Sequence, residues 1–219
     1  MKNSLIIIFI ALFSVACGGS ERQTDKLLAE VWAKDQGVRR QMMELTKAVT
    51  IERREELIDS LVVVAESMEH IDAENMAVVD AILQQGLPEG LAVESYKTIW
   101  IVIDHAPLNR QVHYLPLIKQ MATEGVIGMA EFATLYDRVA MKQNRPQRYG
   151  TQCVQFGTPE SLQLFIWAVE SPETLDSLRD SVGLGSIADY LLQLTTTMGI
   201  EAQYIPTLSV EELNELRNN

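Results

Sequence analysis

The segment from Met129 to Gln152 constrains the fold more than any other part of the chain. From Met129 to Ala140 the apolar residues Met129, Phe132, Leu135, Tyr136 and Val139 recur at helical spacing. Asn144-Arg-Pro146 cannot continue that helix. Pro146 has no amide hydrogen to donate, and its ring drives Arg145 out of the helical region. After Gln152 the period changes. Cys153-Val-Gln-Phe156 and Leu162-Gln-Leu-Phe-Ile-Trp167 are strand-like, and Gly157-Thr-Pro-Glu-Ser161 separates them, which predicts a β-hairpin. Two strands alone are marginal in water, so they must lie on helices. The expectation is a mainly α fold: a single helical domain over residues 25–219 with one small β-hairpin near 153–168.

The rest of the chain fits that frame. Leu28, Val31, Val38, Met42, Leu45 and Val49 alternate in threes and fours, which predicts a long amphipathic helix over 21–49. A second helix is expected over 52–71, with Leu57, Leu61, Val64, Met68 and Ile71 inward and Ile58, Val62 and Ala65 widening the stripe. Asp72 is read as the cap of a separate third helix, closed by Gly86 and Pro88. Residues 91–106 are the most apolar stretch after the leader and should be covered on most sides. A helix kinked at Pro116, another opening at Pro172, one over 187–198 and a capping box at Ser209-Val-Glu-Glu212 complete the pattern. No repeat and no second domain is visible.

The first residues read as an export signal. Lys2 supplies the positive start, Leu5 to Val15 the apolar centre and Ser14-Val-Ala16 the small-residue cleavage context. The apolar run is too short to span a bilayer. Cys17 directly after Ala16 resembles a lipobox, with Ser14 where leucine is usual. The expectation is a lipoprotein: signal peptide 1–16, lipidated Cys17, and a tether over 17–24 that includes Gly18-Gly-Ser20. That makes the membrane a partner through the lipid anchor and the bacterial cell envelope the location. The outer membrane is favoured, because Gly18 stands where an aspartate would resemble an inner-membrane retention signal. The full chain carries a formal charge of −12, and cleavage removes Lys2 and no acid. Such a field disfavours nucleic acid and anionic surfaces. An anion held locally by Arg39, Arg138, Arg145 and Arg148 remains compatible with it. With Cys17 acylated, Cys153 has no partner and no disulfide framework exists. A lone cysteine in an apolar-flanked strand reads as buried and inert.

Several polar residues stand at places where a core is expected. Asp35 lies on the apolar stripe between Val31 and Val38, with Gln36 beside it and Arg39 one turn on. It is either a local Asp–Arg pair or part of a site. Asp104-His105 ends the most apolar helix, where His105 is either a cap with one backbone partner or a functional group. His113 and His70 do not complete a zinc spacing with it. Asp137 falls off its helix stripe onto a face of small residues, next to Arg138, and Gln147, Tyr149 and Gln152 follow. No Gly-rich phosphate loop, nucleophile elbow, metal-ligand spacing or nucleotide fingerprint appears. No cofactor and no metal is therefore expected.

Asp137-Arg138 and Gln147-x-Tyr-Gly-Thr-Gln152 together resemble the signature of a bacterial domain-of-unknown-function family, the one numbered 6624. Further matching points are Asp35-Gln36-x-x-Arg39, Asp72-x-x-Asn75, Gly86-x-Pro88, His105-Ala106 and Arg179 before Gly183-Leu184. The resemblance runs from Lys34 to Tyr190. It departs at the histidine, where the family pattern has a glutamine before and an acid after His-Ala, and this chain has Asp104 and Pro107. The family brings no established activity. Three readings follow from the residues. The first is a binding module for a small or peptidic ligand, its pocket lined by Asp35, Gln36, Arg39, His105, Asp137, Arg138, Gln147, Tyr149 and Gln152. The second is a hydrolase-like enzyme with His105 as general base and a carboxylate, such as Asp137, orienting it. The third is a structural or protein-interaction module in which these groups only lock the helix-to-hairpin junction. On all three, Asp35, His105 and Asp137 are expected to converge, with Arg39 and Arg138 neutralising Asp35 and Asp137.

Overall fold

A computed structural model describes the backbone of residues 3–157 and 162–218, with side chains from residue 19 onward apart from residues 20 and 158–161 and the last two. The side chain of Cys17 lies outside the described residues. Helix α1 runs Asn3–Thr50, α2 Ile58–Leu83, α3 Val93–His105, α4 Leu108–Thr123 and α5 Met129–Lys142. Strands β1 (Cys153–Phe156) and β2 (Gln163–Ile166) follow, then α6 (Leu175–Ser181), α7 (Ile187–Met198), β3 (Ala202–Gln203) and α8 (Val210–Asn218). The fold is mainly α. Among the described residues no helix is long and apolar enough to cross a membrane.

The main core is shared by the first five helices. Leu28 and Val31 of α1, Met76 and Val79 of α2, Ile99 and Ile103 of α3, Ile118 of α4 and Leu135 of α5 meet in one buried cluster. Helix α3 is the hub, as its composition predicts. Trp100 on its flank donates through Nε1 to the Glu131 carbonyl of α5 at 2.9 Å. A second, smaller core sits under the sheet, where Val154, Phe165 and Trp167 pack on Val210 and Leu213 of α8.

Three details differ from the sequence reading. Asp72 does not start a helix: α2 is continuous over 26 residues. No glycine or proline interrupts it, and the Asp72 carboxylate is taken by Arg39 of α1 rather than by a local amide. On the same helix Ile58 and Val62 face solvent, so the buried stripe is narrower than expected. The expected hairpin is present, with Cys153 opposite Ile166 and Phe156 opposite Gln163. It gains a third, two-residue strand, β3, parallel to β2. A strand that short carries no hydrophobic period to read; Leu164 and Phe165 recruit it through tertiary contact. At the C-terminus the capping box closes as expected, with the Glu212 amide donating to Ser209 Oγ and the Ser209 amide to Glu212 Oε2.

Candidate functional site

The polar residues of α1 and α3 meet. Asp35 is 0% exposed. Its Oδ1 lies 3.0 Å from His105 Nδ1 and 3.0 Å from Arg39 Nη1, and Gln36 Nε2 donates to Oδ2 at 2.7 Å. Burial alone would raise the Asp35 carboxyl. His105, Arg39 and Gln36 together outweigh it and hold the group below its ordinary value. Arg39 Nη2 also reaches both Asp72 oxygens at 2.9 Å, tying α1 to α2. Asp35, Asp72 and His105 present ligand atoms within 4.8 Å of one another, a set that could hold a metal ion. The Arg39 guanidinium already bridges the two carboxylates, so a metal there would have to displace it.

The acid on His105 is thus Asp35 rather than its chain neighbour. Successive helical residues point about 100° apart, and Asp104, 2% exposed, turns the other way. It accepts from Arg138 Nε at 2.9 Å. Lys142 of α5 donates to the Ala106 carbonyl at 3.2 Å. Burial, and then the adjacent Arg138 charge, lowers its pKa. Lys142 was invisible to the sequence reading. Its position one turn beyond Arg138, on the face toward the end of α3, is the signal that could have found it.

Asp137 does not join the Asp35 group. It is fully buried, and Arg138 does not pair with it. Its oxygens accept from the amides of Arg148, Tyr149 and Thr151 at 2.8–3.1 Å and from the Thr151 hydroxyl at 3.0 Å. Burial raises its pKa, against the pull of these donors. Gln147, also fully buried, staples the same loop. Its Nε2 donates to the carbonyls of Gln152 and Trp167 at 2.9 and 2.8 Å, and its Oε1 accepts from the Gln152 amide at 2.8 Å. Arg179 of α6 donates to the carbonyls of Tyr149, Gly150 and Gly185. Gly150 has φ +64°, and a Cβ there would touch Leu175 and Ile187. Asp137, Gln147 and Tyr149 are therefore committed to folding the loop onto α5 and the sheet.

What the loop leaves open is a cavity of about 360 Å³ between α5, β1 and the α6–α7 region. Arg138, Thr151, Gln152, Cys153, Arg179 and Tyr190 line it. Burial raises the Cys153 thiol, and Arg138 only partly opposes this, so the cysteine is not activated. The Tyr190 hydroxyl, pushed up to about 12 chiefly by burial, donates to the Thr151 carbonyl at 2.7 Å. The nine sequence-selected residues therefore fall into three groups: Asp35, Gln36, Arg39 and His105 in one polar cluster, Asp137, Gln147 and Tyr149 inside the loop, and Arg138 and Gln152 at the cavity. Asp104–Arg138 links the first group to the third through the chain neighbours of His105 and Asp137.

The fold and these groups define a helical domain with a small appended sheet and a buried polar loop at the junction. The chain belongs to the family described as Family of unknown function (DUF6624), whose model matches residues 23–203. That span includes every residue of the polar clusters and of the loop. No curated protein and no solved structure matches the chain.

Proposed function

We propose that this chain is an exported, lipid-anchored binding module whose ligand, a small molecule or the end of a peptide, enters the cavity beside Arg138. The observation that carries the reading is the state of Arg138. Its Nε is fixed by buried Asp104, while its Nη1 and Nη2 meet no acceptor among the described residues, at the wall of a cavity large enough for a small ligand. Gln152 supports it: its Nε2 is used by Thr134 and Thr151, and its Oε1 accepts from no described group. The apolar start and Ser-Val-Ala-Cys17 support the anchor. Ligand-dependent thermal shifts of the full chain, measured over a small-molecule and dipeptide library, test the binding role. No compound stabilising the wild type more than a Gln152→Ala variant would sink it.

A second reading rests on the Asp35–His105 contact. A buried carboxylate on Nδ1 fixes the imidazole tautomer and leaves Nε2 to take a proton, the arrangement of a general base. Turnover of model ester and amide substrates that disappears in His105→Gln, with the fold retained, would establish it. Equal rates in both proteins would remove it.

A further inference from the structure

We infer that the ligand of this cavity is anionic at the end that meets Arg138, a carboxylate or a phosphate-type oxyanion; this rests on the binding role proposed above. A guanidinium carries five donors in a fixed fork. Asp104 Oδ1 uses the Nε side of Arg138 at 2.9 Å. The Nη1–Nη2 end is the part that matches two oxygens of a carboxylate or phosphate. It is left without a described partner on the wall of the cavity. A neutral ligand would leave those donors short of charge-assisted bonds. An oxyanion would fill them.

The surroundings point the same way. Arg179, 2% exposed, is held by the neutral carbonyls of Tyr149, Gly150 and Gly185 and by the face of Tyr190, with no ion pair of its own among the described residues. It brings a second positive charge to the same wall. Lys142, beside Arg138, adds a third to the neighbourhood. No carboxylate is among the described residues that line the cavity, in a chain whose formal charge is −12. Asp104 and Asp137 lie behind the wall, one under Arg138 and one under the loop, and both are consumed there. Met141 and Leu184 supply the apolar lining that the body of a small organic anion would need.

The experiment uses the full chain carrying Cys17→Ser, so that Cys153 on the cavity wall is the single thiol. Two readouts are followed together: calorimetric binding, and protection of Cys153 from alkylation as a measure of occupancy that does not depend on Arg138. The probes are inorganic phosphate, succinate, and succinamide as the uncharged counterpart of succinate. The expected result is that phosphate or succinate binds and protects Cys153, that succinamide does neither, and that Arg138→Lys weakens the anion about tenfold or more. Arg138→Lys keeps a cation for Asp104 and removes only the fork, so a folding failure is not expected; circular dichroism of the variant checks this. Phosphate without succinate, or the reverse, distinguishes the two oxyanion sources. Protection by succinamide equal to that by succinate would overturn the anionic assignment and leave the binding role standing. No protection by any probe, at concentrations that saturate ordinary small-molecule sites, would overturn both. Anion binding that is unchanged in Arg138→Lys and does not protect Cys153 would place it elsewhere on the surface and overturn the inference.

Discussion

Asp137 shows how a single residue can look like a site and be a structural clamp. Its carboxylate replaces the water that the amides of Arg148, Tyr149 and Thr151 would otherwise need. Removing it strands three donors in a buried loop, each costing about 1–3 kcal/mol. Asp137→Ala is expected to lower the unfolding free energy by about 3 kcal/mol or more, read from urea denaturation. A loss under about 1 kcal/mol would mean the loop finds other acceptors. Asp35 makes a different prediction, in pH. Its folded pKa is held below the ordinary 3.8 by His105, Arg39 and Gln36 against the opposing effect of burial. A depressed acid contributes stability above its unfolded pKa and loses it as pH falls through the folded value. The stability gap between wild type and Asp35→Asn should therefore be widest well above pH 3.8 and close as the pH drops below it. A gap that stays constant through the acid range would remove the ion pair as its cause.

At the level of elements, the loop 147–152 ties helix α5 to the segment after β2 and to α6. Helix α5 offers Asp137, the segment just after β2 offers the Trp167 carbonyl, and α6 offers Arg179. Gly150 permits this because its φ of +64° lies in the left-handed region and its missing side chain leaves room for Leu175 and Ile187. Gly150→Ala is expected to cost about 1 kcal/mol or more and to loosen the α6–α7 region before the five-helix core. Faster hydrogen exchange confined to the segment after residue 147 would show this. Uniform loss over the whole molecule would contradict it. The α1–α2 seam is held by a second element-to-element link, Arg39 on Asp72, only part-buried. Its removal should matter less than that of Asp35, because water can replace it.

For the whole molecule, the lipid-anchored location proposed above rests on Cys17 and makes its own prediction. Cys17→Ala is expected to abolish lipid labelling and to release the protein from membranes into the soluble fraction. Unmodified Cys17 in soluble wild-type protein would end the lipoprotein reading. Retention of the variant on membranes would point instead to a protein partner. The negative formal charge of the chain should make capture of an anion by the Arg138 cavity depend on short-range contacts rather than long-range attraction. Its affinity is then expected to fall only modestly with added salt.

The sequence by itself determined the helical class, the hairpin after Pro146, the helix 187–198 and the terminal capping box. Each is written in local spacing, a breaker or a cap, which act over a few residues of chain. It also marked Asp35 as a polar group on a buried face, because it sits on an apolar stripe, and His105 as a polar group at the end of the most apolar helix, where it is only partly buried. What it did not determine is who pairs with whom. Arg138 beside Asp137 and Asp104 beside His105 suggest neighbour pairs, and a helix turns both apart. Asp104 takes Arg138 and His105 takes Asp35 across 34 and 70 residues of chain. Asp72 as a cap, the two-residue β3 and the role of Lys142 failed for the same reason. Local pattern says which groups must be satisfied, and only the packing of α1, α2, α3 and α5 around one core brings the partner that satisfies them.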